Sequence, residues 1–188
     1  MSLIAHPTWQ HHAAAARGTP MARMRVNGQA LEFALDPATP LLWALRDAAN
    51  LTGTKQGCGG TGQCGACTVI IDGGAALSCA VTIGSLEGAD VTTVEGLTSH
   101  PFTLALVAED AIGCGYCLPG FTCAVAALLQ QSPRPAAEQV DALPNRCACG
   151  MQPRLRRAIE RVAGASAPDL SANQPAAPQP PGIVSPPR

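Results

Sequence analysis

The chain has 188 residues and a formal charge of −1, with apolar residues at 47 % and aromatics at only 3 %. That length accommodates one large domain or two small ones, and the charge balance excludes a basic nucleic-acid surface. No run of about 18 residues escapes charge or Pro/Gly punctuation, so no segment is expected to span a bilayer.

Residues 1–20 read as an unstructured leader, with Pro7, three histidines and a short Ala run but neither a secretory core nor a twin arginine. The expected compartment is therefore the cytoplasm, and Met21 is a natural start for the folded part. Two alternating runs between Arg23 and Leu35 flank Asn27-Gly28, a strong hairpin signal. After Pro40, apolar residues at helical spacing predict one helix to about Asn50. A Gly-rich loop covers 51–66. A strand over Thr68–Ile71 turns at Asp72-Gly73 and returns through Ala75–Val81, and Val91–Val94 reads as a last strand. Beyond Gly96 the period turns helical, with helices expected over Pro101–Ile112, Pro119–Gln131, Ala136–Leu143 and Pro153–Val162. Residues 164–188 are rich in Pro, Ala, Gln and Ser, a composition too polar to bury a core, and read as a disordered tail. The expected architecture is α+β: a small mixed sheet with one helix, then an all-α unit.

With so few aromatics the core must be built from small side chains, and the nine cysteines are the candidates for what else holds it. Eight fall into two quartets, Cys58, Cys64, Cys67, Cys79 and Cys114, Cys117, Cys147, Cys149. Pairs as close as C-x-x-C and C-x-C serve metal more readily than disulfides, and clustered thiols fit a reducing compartment. In Gly57–Cys67, three cysteines and five glycines occupy eleven residues. Glycines let main-chain N–H groups approach inorganic sulfur, so this loop favours an iron–sulfur cluster over zinc. The loop has one residue more than the C-x₄-C-x₂-C spacing of plant-type clusters, so a residue in Gly59–Gln63 must bulge outward. The second quartet sits at helix ends, where main-chain amides favour an anionic cluster; alone, it fits zinc nearly as well as iron.

Taken together, these residues resemble the iron–sulfur (small) subunits of the molybdenum hydroxylases, the xanthine dehydrogenase and aldehyde oxidoreductase family, and in particular the isoquinoline 1-oxidoreductase alpha-subunit type. The resemblance rests on Gly53-Thr54-Lys55, Cys64-Gly-Ala-Cys67-Thr-Val69, Asp72-Gly73, Ser78-Cys79 and Thr93-Val-Glu95-Gly96-Leu97. It continues through His100-Pro101, Cys114-Gly-Tyr-Cys117, Pro119-Gly120-Phe121, Cys147-x-Cys149-Gly150 and Pro153-Arg154 to Ala158-Ile159.

It implies an N-terminal β-grasp, ferredoxin-like 2Fe–2S domain over 21–97, followed by an all-α four-helix 2Fe–2S-binding domain over 98–163. Cys58, Cys64, Cys67 and Cys79 would hold one cluster, and Cys114, Cys117, Cys147 and Cys149 the other. The implied role is electron transfer within an oxidoreductase, with no catalytic residue in this chain. A molybdopterin-binding large subunit, its cofactor in the cytosine dinucleotide form, would hydroxylate an aldehyde or N-heterocycle. Electrons would leave through a cytochrome, an FAD subunit or another acceptor. Cys149 is a candidate molybdopterin contact. The glutamine that usually precedes C-G-Y-C and contacts the pterin is replaced by Gly113. Two rival readings are a structural zinc-binding module and a free-standing ferredoxin.

Elsewhere, Cys123 on an apolar helix face reads as a buried inert thiol. His6, His11 and His12 read as incidental, His100 as structural, and Lys55, the one lysine, as a surface or interface charge. Asn27-Gly28 and Asp72-Gly73 read as turns and nothing more.

Overall fold

A computed structural model describes residues 21–164; the expected leader and, past Gly164, the expected tail lie outside these residues. Five strands, β1 (Ala22–Val26), β2 (Gln29–Phe33), β3 (Thr68–Ile71), β4 (Gly74–Leu77) and β5 (Asp90–Thr92), form one mixed sheet in the order β2-β1-β5-β3-β4. β1 alternates: Ala22, Met24 and Val26 are buried while Arg23 and Arg25 face out. Arg23 pairs across the strands with Glu32 at 3.1 Å. β1 runs antiparallel to β2 and parallel to β5, and β5 runs antiparallel to β3.

β3 reads as a continuous apolar run because both its faces are covered. Val69 packs with Met24, Leu41, Leu45 and Val91 on one side. Ile70 packs with Cys123, Ala126 and Ala127 on the other. Leu41 and Leu45 of the first set belong to the helix after Pro40, which is α-helical over Leu41–Trp43 (α1) and then widens into a π turn over Ala44–Ala48, with Ala49 N–H donating to Ala44 O at 3.0 Å. The second set belongs to α3 (Leu118–Gln131), which lies across the sheet.

The helical half consists of α2 (Pro101–Ala108), α3, α4 (Ala137–Asp141) and α5 (Gln152–Gly164). Phe102, Leu106, Phe121, Val125, Leu155 and Ile159 form its core. His100 caps α2, its Nδ1 accepting the Phe102 N–H at 3.2 Å. On the outside, Arg161 and Arg157 of α5 both reach Glu109 and hold its carboxyl below the usual carboxylate range.

Four expected elements end early, each for a local reason. α2 stops at Ala108 instead of Ile112 because Asp110 turns to φ 47°. α4 stops at Asp141 instead of Leu143 because Pro144 disfavours helical geometry in the residue before it. β4 leaves the ladder after Leu77 instead of reaching Val81, because the chain turns there, Ala80 N–H donating to Leu77 O at 2.9 Å. β5 ends at Thr92 and gives way to a 3₁₀ turn over Val94–Leu97. Among the described residues no helix is long and apolar enough to cross a membrane.

Candidate metal centres

The β3–β4 hairpin brings the last two members of the first quartet together, since Cys67 directly precedes β3 and Cys79 lies just past β4. Burial, with the Cys67 thiol beside it, pushes the Cys79 thiol up to about 11. The loop before them is strapped down from outside. Arg46 Nη1 donates to Thr52 O and Thr54 O at 2.8 and 2.7 Å, and Gly53 N–H donates to Glu95 Oε1 at 2.7 Å. Lys55 Nζ donates to Thr52 O and Gly53 O at 2.6 and 2.8 Å, so its charge folds back on its own loop.

Within that frame, polar hydrogens turn toward sulfur. The Thr61 hydroxyl, then the N–H groups of Gln63 and Cys64, lower the half-buried Cys58 thiol to about 6. Ala66 N–H lies 3.5 Å from Cys64 Sγ. The extra residue of the loop is absorbed by Gly59, Gly60 and Gly62, all at positive φ, 69°, 90° and 76°.

The second quartet is assembled from the turn before α3 and the segment between α4 and α5. Cys147 Sγ and Cys149 Sγ are 3.7 Å apart. Two thiolates on one tetrahedral metal at metal–sulfur distances near 2.3 Å would be about 3.8 Å apart. Burial pushes Cys117 up to about 12, with Cys147 and then Cys149 and Cys114 adding to the effect. Cys149 is lowered, first by the Cys114 N–H.

Each quartet thus pairs a thiol favoured as thiolate, Cys58 or Cys149, with one that burial and its neighbours disfavour, Cys79 or Cys117. Four thiolates could share either site only around compensating cations, which is what the irons of a cluster supply. Among the described residues no three His, Cys, Asp or Glu side chains converge on a single-ion site. Two sets of four thiols match the all-thiolate donor set that an iron–sulfur cluster would take, and each set would supply its four ligands.

The two loops touch. Tyr116 OH donates to Gln56 O at 2.5 Å, Arg146 N–H donates to Cys64 O at 3.0 Å, and Asn145 Nδ2 donates to Gly65 O at 2.7 Å. Gly65 stands at φ 70°, and a Cβ there would lie 2.7 Å from Asn145 Nδ2. Gly120 of α3 closes the same junction, where a Cβ would sit 2.1 Å from Gly65 O, against rigid backbone. Gly120→Ala should destabilise the protein by about 1–3 kcal/mol, read as a lower Tm. An unchanged Tm would mean that the halves are packed more loosely than this.

Residues 24–95 match the family described as "2Fe-2S iron-sulfur cluster binding domain", and residues 93–160 match the "[2Fe-2S] binding domain". One of the subunits of nicotinate dehydrogenase from Pseudomonas putida is 44 % identical over 146 residues, covering 74 % of this chain and 92 % of that protein. The chain is an iron–sulfur subunit of the molybdenum hydroxylase family. The alpha subunit of isoquinoline 1-oxidoreductase from Brevundimonas diminuta is likewise 44 % identical, over 73 % of this subunit and 94 % of its own length. The crystal structure of quinoline 2-oxidoreductase from Pseudomonas putida 86 superposes with a TM-score of 0.72 at 32 % identity, over 78 % of this chain and 94 % of that one.

Inside the iron–sulfur subunit, Cys123 is buried beside Ile70 and pushed up to about 12 by burial and then by Glu95, an inert packing thiol as expected. Gly113 leaves no room for a side chain in this backbone: a Cβ would lie 2.6 Å from Met151 Cγ and 2.8 Å from Cys149 Sγ.

The turn residues do more than turn. Asn27 Oδ1 accepts the Thr93 N–H and its Nδ2 donates to Thr93 Oγ1, both at 2.9 Å, which ties the first hairpin to the end of β5. Asp72 Oδ1 accepts the Asp90 N–H at 2.9 Å. Tyr116, inside the C-G-Y-C run, and Asn145, two residues before Cys147, join the loops. Their nearness to ligand-type cysteines was the one available signal.

Proposed function

We propose that Cys58, Cys64, Cys67 and Cys79 hold one 2Fe–2S cluster and Cys114, Cys117, Cys147 and Cys149 a second. The carrying observation is that each thiol set gathers in a single loop system and that the two systems meet through three hydrogen bonds. The clusters supply one-electron carriage between a two-electron oxidation and its acceptor.

The chain's own residues do the rest. The N–H groups of Gln63, Cys64 and Ala66 and the Thr61 hydroxyl favour the thiolates of the first set. Arg46, Lys55 and Glu95 hold the loop closed against the sheet. The first half, 21–97, is a β-grasp ferredoxin-like domain and the second, 98–163, a four-helix domain.

Family membership implies a molybdopterin-binding large subunit, and we place it on the second half. Cys114 and Cys149 are exposed there, and Leu104, Val107, Ile112 and Tyr116 form an exposed apolar stretch leading into that loop. Cys149 would face the pterin, in its cytosine dinucleotide form, with no side chain from position 113 to assist. The relatives named for nicotinate, isoquinoline and quinoline favour an N-heterocycle over an aldehyde as the partner's substrate. Electrons leave by the first cluster for a cytochrome, an FAD subunit or another acceptor. Clustered thiols suit a reducing cytoplasm.

Protein produced with ample iron should be red-brown and contain about four iron and four sulfide per chain. Iron near two would leave one quartet unused. Zinc at one or two equivalents without sulfide would instead establish a structural module.

A further inference from the structure

Asn145 is 4 % exposed, and its carboxamide is only half satisfied. Nδ2 donates to Gly65 O at 2.7 Å and reaches Thr68 Oγ1 at 3.4 Å, whereas Oδ1 is buried with no partner. For packing alone this is a poor choice, since an apolar side chain would have no polar atom to desolvate. What the position supplies is a donor from the other half of the molecule to the Gly65 carbonyl, which also accepts the Thr68 hydroxyl at 2.7 Å and the Thr68 N–H at 3.1 Å.

The next residue shows why. Arg146 N–H donates to Cys64 O at 3.0 Å, and Arg146 is bonded to Cys147. From Cys147 Sγ to Cys64 Sγ the chain offers a path of covalent bonds interrupted by that one hydrogen bond. Its geometry depends on how the peptide at Gly65 is presented to segment 145–146. Gly65 at φ 70° and Gly120 leave space for this approach.

We propose that Asn145 is a positioning residue for electron passage between the two thiolate sets, holding Gly65 O so that the Cys64 O to Arg146 N–H link keeps its length. The proposal rests on the two-cluster reading above. The step is a one-electron exchange: the set at Cys114–Cys149 is oxidised and the set at Cys58–Cys79 reduced by the same electron. No bond breaks and no proton transfers.

The test uses the assembled complex with iron counted on every sample. Asn145→Asp keeps the side-chain size and shape but presents oxygen to Gly65 O, and Asn145→Ala removes the donor without adding bulk. Both should retain about four iron per chain and an unchanged substrate KM. The magnetic splitting between the two reduced clusters in low-temperature EPR should shrink. The rate of electron re-equilibration after flash reduction should fall about tenfold or more, as small misplacements do at reacting centres.

A merely structural residue would lower Tm and leave the splitting and the rate where they were, which overturns the proposal. Loss of one quartet's iron in both variants also overturns it, because Asn145 would then build a site and not link two. Failure of the two-cluster reading looks different, since the unsubstituted protein itself would lack the second EPR signal.

Discussion

Cys117→Ser, introduced into the assembled complex, should bring turnover with every electron acceptor down to background while the molybdopterin subunit still completes one substrate oxidation. Cys117 is one of the two half-buried members of its quartet, and burial, then Cys147, Cys149 and Cys114 beside it, raise its thiol to about 12. Serine there offers a harder, still less acidic donor, and iron in such sites selects soft thiolate. Iron should fall to about two per chain. Cys67→Ser should act differently. It removes the fully buried thiol at the start of β3, so the helical set should remain reducible by substrate while delivery to the outside acceptor is lost. Size-exclusion chromatography establishes first that both variants assemble. Normal turnover of Cys67→Ser with its physiological acceptor would show that electrons do not leave by way of the first quartet.

Removing both clusters should lower the melting temperature by about 20 °C or more and broaden the transition, on the scale of metal-coupled folding and the Tm shift per kcal/mol for a chain of this size. The cores explain why. The seam between the halves consists of Ile70, Leu97, Cys123, Ala126 and Ala127, mostly small side chains. The stretch from Leu51 to Ala66 has no regular secondary structure, and it carries Cys58 and Cys64, which the cluster would bind to Cys67 and Cys79. Calorimetry of holo-protein and chelator-treated apo-protein checks this. Equal melting temperatures would make the clusters passengers on a core that suffices alone.

The chemistry of this protein was legible in one dimension because its signals are local. Three cysteines and five glycines in eleven residues declare a wrapped loop whatever surrounds it. Asn27-Gly28 and Asp72-Gly73 announced their hairpins because left-handed backbone is set within the turn itself, and Asn27 and Asp72 stand at φ 51° and 49°. Helix ends were less visible. Leu143 lost its helical place to the proline after it, and Ala108 ended α2 because Asp110 bends back where Arg154 of α5 donates to its carbonyl at 2.7 Å.

Only the tertiary structure decided how the two halves are joined. Asn145 meets Gly65 across 80 residues, Asn27 meets Thr93 across 66, and Tyr116 meets Gln56 across 60. An asparagine or tyrosine has donors that suit almost any carbonyl, and nothing in its neighbours along the chain says which one it will reach. Spacing therefore picks out thiols that a cluster could use, because covalent geometry limits how far apart they can be. The separation and contact between two such sites come from how α3 and segment 145–146 pack against the first loop, which is settled by burial and close approach at Gly65 and Gly120.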